Sequence, residues 1–150
     1  MGRMDASELQ GYLHERIPLS RAMAVEVIRA EPNGVVLQAP LAPNINHRDT
    51  VFGGSAGAVA TLAAWSLVDV LLKADAQPGR IVIRRSTMDF ERPIFAEFSA
   101  TASPPPGAEW AKLLATLRRG RMARITVRAV LECRGERVGE LVGEFAVLPG

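Results

Sequence analysis

The sequence is short of the residues that most often build cross-links, metal centres and base-stacking platforms. It has one cysteine, Cys133, so no internal disulfide can form and a reducing compartment such as the cytoplasm fits. No second Cys and no paired His stands near Cys133, so a buried structural thiol is expected there and no metal or other resident cofactor. One Tyr and two Trp are too few rings to interleave with a nucleic-acid strand, and a formal charge of +2 supplies no strong field to attract one. The first residues, Met1-Gly2-Arg3-Met4-Asp5, lead into polar sequence rather than an apolar h-region, so no secretory leader is read there. Lysine is scarce as well: sixteen Arg stand against two Lys. Coding composition can produce that ratio, but a planar guanidinium also binds phosphate in bidentate fashion.

One long apolar run is present, Val51 to Leu72. It is just above the length of about 18 residues that raises the question of a membrane span. Gly53, Gly54, Ser55, Gly57, Thr61, Ser66 and Asp69 interrupt it, and no basic flank precedes it. A helix buried by a sheet explains the run better, and no membrane association is expected.

Around this run the periodicities alternate. Leu9, Leu13 and Ile17 predict an amphipathic helix over Asp5–Ile17, stopped by Pro18. Strands are expected over Met23–Ala30 and Val35–Leu41, joined by a hairpin at Asn33-Gly34, where both residues tolerate positive φ. A loop, Ala42–Val51, feeds the apolar helix, which ends near Lys73. Gln77-Pro78-Gly79 turns the chain into a strand over Ile81–Arg92, followed past Pro93 by another over Phe95–Ala102. Trp110, Leu113, Leu114 and Leu117 make one helical stripe within Ala108–Arg119, ended by Gly120. Arg121–Arg134 alternates strictly, and Gly135 turns it into a last strand, Arg137–Leu148. One domain over residues 1–150 is expected, without repeats or linkers. A helix with almost no polar face has to be covered all round, and one curved antiparallel sheet can cover most of it. The expected fold is α+β of the hotdog type: a curved antiparallel sheet around a long central helix, with an extra helix inserted before the last two strands. Flanking helices or a second subunit would cover the rest, so a homodimer or dimer of dimers is expected.

Two short stretches then carry a resemblance. Asn46-His47-Arg48-Asp49-Thr50-Val51-Phe52-Gly53-Gly54 resembles the loop that opens the central helix in hotdog thioesterases of the PaaI and 4-hydroxybenzoyl-CoA type. Phe90-Glu91-Arg92-Pro93 resembles the end of the strand after that helix. The run from Pro43 through Ser55, with Trp65 and the inserted helix, is similar to the YiiD C-terminal family of thioesterases. The resemblance covers roughly Ala24 to Leu148 and implies an acyl thioester hydrolase acting on acyl-coenzyme A or an acyl carrier protein.

The residues support such chemistry independently. A helix start offers free N–H groups and partial positive charge, where a carbonyl oxygen can become negative. Gly53 and Gly54 let that carbonyl approach without meeting a side chain. Gly54 is thus read as a catalytic position, with Phe52, Gly53 and Ser55 lining the substrate. Asn46 is where the resembling enzymes orient water or the carbonyl, although Asn also forms Asx turns in loops. Thr61 is the other candidate for holding water. In the PaaI type a His precedes Gly-Gly and a carboxylate stands about two turns into the helix; here those positions are Phe52 and Thr61. That substitution keeps open a second reading, a non-catalytic acyl-binding or assembly protein. A hydratase ranks below both, since no His–carboxylate pair stands at helix spacing. Trp65 either fills the core or limits an acyl tunnel. Arg84 and Arg85 head the candidates for coenzyme A phosphates, while His47, Asp49, Asp69 and His14 are expected to be ordinary surface or helix-end residues.

Overall fold

The computed structural model describes residues 4–150. Asp5 accepts a hydrogen bond from Glu8 N at 2.8 Å and caps helix α1, Ala6–Arg16, which buries Leu9 and Leu13. Pro18 does end this helix, but it also starts a short second one, α2, Pro18–Ala22, since proline suits the first helical position. The first strand therefore begins later than its apolar residues predict, as β1, Glu26–Glu31. It pairs with β2, Gly34–Ala39. The hairpin is present, yet its turn residues are Pro32 and Asn33, and neither Asn33 nor Gly34 has positive φ. Proline fixes the first turn residue near φ −65°, so the turn is displaced by one residue from the Asn-Gly reading. A Cβ on Gly34 would lie 2.3 Å from the Arg29 guanidinium, so any larger residue there moves that flexible side chain aside.

The central helix, α3, runs from Gly53 to Ala74 and buries twelve side chains. By length and composition it could cross a membrane, with a mean hydropathy of 1.6 over its best window, but the sheet wraps it. The strands β3 (Gly79–Phe90) and β4 (Phe98–Ser103) follow, then helix α4 (Gly107–Arg118), then β5 (Ala123–Cys133) and β6 (Glu136–Pro149). The six antiparallel strands lie in the order β1-β2-β4-β5-β6-β3, a curved sheet around α3. This is the expected hotdog architecture, with α4 inserted before the last two strands.

Strand β5 buries every second residue from Ala123 to Cys133, which is the alternation its sequence carries. Gly120 closes α4 with φ 75°, as a glycine at that position should. The tight turn into β6 uses Arg134 and Gly135, both at positive φ (52° and 79°).

The central helix is not covered all round. Gly54, Gly57, Ala58, Thr61, Trp65, Asp69 and Lys73 form one stripe that stays partly accessible. Its C-terminal half is roofed by α1: Tyr12 stacks on Trp65 with ring centroids 6.3 Å apart, and Lys73 lies over the same Tyr12 ring. Its N-terminal half, from Gly54 to Thr61, has no such cover.

Candidate active site

The backbone that delivers Gly53 is pinned from two sides. Val51 N donates to Ile94 O at 2.7 Å, and Phe52 N donates to Asn44 O at 2.7 Å. Asn44 is itself fixed, being only 2% exposed and donating from Nδ2 to Met23 O (2.9 Å) and Pro40 O (2.8 Å). The helix opens with Ala56 N donating to Phe52 O at 3.1 Å, and no side chain caps it. Among the described residues, the N–H groups of Gly53, Gly54 and Ser55 therefore have no partner, as the helix geometry dictates. Three donors and the positive end of a 22-residue helix are left facing outward.

Beside them lies an open cleft of about 350 Å³. Gly53 forms its helix wall, Thr50 and Val51 its loop wall, and Phe90, Glu91, Arg92 and Pro93 its far wall. The two stretches that carry the family resemblance thus meet across one cleft. Contact is close: a Cβ on Gly53 would sit 3.4 Å from the Phe90 ring. Gly54 is screened differently, because a Cβ there would lie 2.3 Å from the Phe52 ring. The Phe52 ring folds back over Gly54 while remaining mostly exposed.

Glu91 is the carboxylate among the residues lining this cleft. Both its oxygens are held by one guanidinium, with Arg137 Nε donating to Oε1 at 3.0 Å and Nη2 to Oε2 at 2.9 Å. Hydrogen bonding from Arg137 outweighs the opposing effect of burial and, with the smaller contributions of the Arg137 and Arg92 charges, holds the Glu91 carboxyl below its ordinary pKa. The same pairing raises Arg137 above its ordinary value. Arg137 also meets Glu140 at 3.4 Å, and Arg92 meets Glu136 at 3.2 Å, so the cleft rim is a linked set of ion pairs.

The other sequence candidates are distributed as follows. Asn46 is half-buried and its amide is engaged within its own loop. Its Oδ1 accepts from Arg48 N at 2.8 Å and Thr50 N at 3.2 Å, and its Nδ2 donates to Thr50 Oγ1 at 3.0 Å. This is the Asx arrangement, and it shapes the loop that carries exposed His47 and Arg48 and places Asp49 at φ 61°. Thr61 sits on the uncovered stripe and donates from Oγ1 to Gly57 O at 2.8 Å, which leaves its lone pairs free to accept. Trp65 is held by Tyr12 and donates from Nε1 to Ile81 O at 3.4 Å, so it packs between α3 and β3. Arg84 is ion-paired with Glu144 on the neighbouring strand, and Arg85 is exposed close by. Neither lines the cleft at the helix start. Asp69 pairs with Lys73 at 2.5 Å, near the helix end. His14 reaches Val25 O at 2.8 Å and ties α1 to the start of β1. Among the described residues, no three His, Cys, Asp or Glu side chains gather as metal ligands.

Two residues escaped the sequence reading. Alternation with Met88 and Phe90 sends Glu91 toward solvent or a neighbouring subunit, and it is exposed, but the strand ends at Phe90 and the chain turns there, with Glu91 N donating to Val138 O, which brings its carboxylate to the cleft. The adjoining Pro93 was the available signal for that turn. Asn44 carried no signal, because its partners are set by tertiary structure.

Comparison with known proteins gives the family and the fold. Residues 6–149 match the family described as "Putative thioesterase (yiiD_Cterm)". A Shewanella oneidensis protein described as a putative thioesterase superposes with a TM-score of 0.87 at 26% identity, covering 96% of this chain and 97% of its own. A Chlorobaculum tepidum protein of unknown function superposes with a TM-score of 0.89 at 23% identity, over 99% of each chain. A Pseudomonas aeruginosa protein described as a probable thioesterase does so at 0.78 and 23%, over 99% of this chain and 100% of its own. With the family matched along nearly the whole chain, and the hotdog fold shared by these structures, this protein belongs to the YiiD C-terminal thioesterase family.

Proposed function

We propose that the protein hydrolyses acyl thioesters of coenzyme A at the start of α3. The observation that carries this reading is the set of unpaired N–H groups at the start of α3, where Gly53 lines a cleft with the Glu91 carboxylate on its far wall and Gly54 and Ser55 follow it on the helix. A thioester carbonyl accepting from those donors gains electrophilicity, and the tetrahedral intermediate places its negative oxygen where the donors and the helix dipole already point. Water attacks the carbonyl carbon, the C–O bond forms, and the C–S bond then breaks. The proton given up by the water ends on the departing thiolate.

Among the described residues that line the cleft there is no His to pair with the carboxylate. Glu91, kept anionic by Arg137, can accept a hydrogen bond from it and orient it, and Thr61 offers further acceptor lone pairs along the uncovered stripe. Asn46 acts through the loop it holds together rather than by touching the reacting atoms. This is catalysis by positioning and electrostatics more than by a base of matched pKa.

The working form is a homodimer, or a dimer of dimers. Strand β3 is a bare sheet edge with Val82 and Ile83 exposed by 47% and 42%. A second copy there would also cover the open half of the α3 stripe. A reducing cytoplasm suits the lone buried thiol of Cys133.

The lowered pKa of Glu91 favours one competing reading, an acyl-binding protein without turnover. Free-thiol release from acyl-coenzyme A of graded chain length separates the two. Release above the buffer rate is expected; tight binding with no release would leave the binder.

A further inference from the structure

A second cleft of about 400 Å³ adjoins the first, and Arg92 and Pro93 line both. Its floor includes the buried residues Cys133 and Val138, and the Glu136 carboxylate lines it as well, neutralised by Arg92 at 3.2 Å. Its mouth carries Phe95, 54% exposed, with the Arg134 guanidinium 5.1 Å from the ring centroid. Among the described residues Arg134 has no acidic partner, whereas Arg92 shares Glu136. Arg134 also sits at φ 52°, so the hairpin turn holds its backbone in a conformation costly for a side chain of this kind.

An exposed aromatic face, a planar cation stacked on it and a second guanidinium at the shared wall suit one kind of ligand: a flat base bearing phosphates. The base extends the Phe95–Arg134 stack, and Arg134, the guanidinium without an acidic partner among the described residues, takes the phosphate oxygens while Arg92 stays on Glu136 at the shared wall. We infer that this second cleft binds the adenosine phosphate end of coenzyme A, with the carrier arm passing Pro93 from the thioester at Gly53. The inference rests on the thioesterase reading for the position of the thioester. It commits to coenzyme A over a carrier protein, whose phosphopantetheine has no base to stack.

The test uses the intact protein with free coenzyme A, followed by titration calorimetry. Phe95→Ala removes the ring, and Arg134→Asn removes the charge while keeping a residue that tolerates positive φ. Each should weaken coenzyme A binding about tenfold, the loss of one charge-assisted or stacking contact. Adenosine 3′,5′-bisphosphate should compete with coenzyme A for the wild type. In kinetics, KM for an acyl-coenzyme A should rise similarly in both variants at unchanged kcat. Turnover of the same acyl group on N-acetylcysteamine, which has no nucleotide, should not change. Unaltered coenzyme A binding in both variants, or equal effects on the two substrates, would overturn the site. A wild type that binds coenzyme A through Phe95 and Arg134 but releases no thiol would refute hydrolysis and leave this site standing.

Discussion

Glu91 shows how one residue's environment sets its chemistry. Alone, an exposed glutamate titrates near 4.5, and the bidentate Arg137 contact moves it lower. A carboxyl whose folded pKa is depressed stabilises the fold above its unfolded pKa and loses that contribution as pH falls through the lower, folded value. Glu144 follows the same sign through its pairing with Arg84. Both pairs stand at the surface, so salt should screen them. For activity, the consequence is an acid limb of kcat/KM below pH 4.5, since Glu91 stays ionised through the ordinary carboxylate range. Glu91→Gln should lower kcat by about 10² with little change in KM, the usual cost of one orienting group in a polar site. A wild-type limb near neutral pH would point to another group.

At the scale of elements, local pattern was legible and its exact edges were not. The alternation of β5 and the apolar length of α3 appear in the structure nearly residue for residue, because one face or nearly every face is buried and the sequence must repeat accordingly. Helix α2 was missed because Pro18 reads equally as a stop and as a first helical residue. The Gly-Gly helix start and the Phe90–Pro93 turn were each readable as motifs. Their meeting across one cleft was not, since the register of β3 on β6 and the bridge from Val51 to Ile94 place them together. Asn44 lies beyond local pattern for the same reason. It fastens the loop before α3 to Met23, 21 residues away in sequence, and its own carbonyl holds Phe52 N. Asn44→Ala strands the buried Met23 carbonyl and the partly buried Pro40 carbonyl and should cost about 1–3 kcal/mol, read as a lower urea midpoint at unchanged slope. An unchanged midpoint would mean that water replaces the amide without loss.

The whole molecule has two sheet edges treated differently. At β1, Val27 N donates to Gln10 of α1 at 2.9 Å and a bulge interrupts the strand between Val27 and Arg29, so α1 and an irregularity blunt that edge. At β3, twelve residues run along the sheet border; an irregularity lies between Ile83 and Arg85 there too, but Val82 and Ile83 keep their apolar side chains in water. Light scattering should therefore find a dimer, and Val82→Glu with Ile83→Glu should yield a folded monomer; a monomeric wild type would remove β3 as an interface. The central claim, that a thioester is cleaved on the free N–H groups of the α3 start, has a more direct test in Gly53. A Cβ there meets the Phe90 ring only at ordinary contact distance, so the fold should tolerate it, while the branches of a valine would enter the cleft beside the donors. Thiol release from acyl-coenzyme A by wild type and by Gly53→Val, at matched folded concentration, is the measurement. The account predicts turnover in the wild type and at least a hundredfold loss in the variant, on the scale of about 10²–10³ for a lost oxyanion donor. Equal turnover by the two proteins would contradict it.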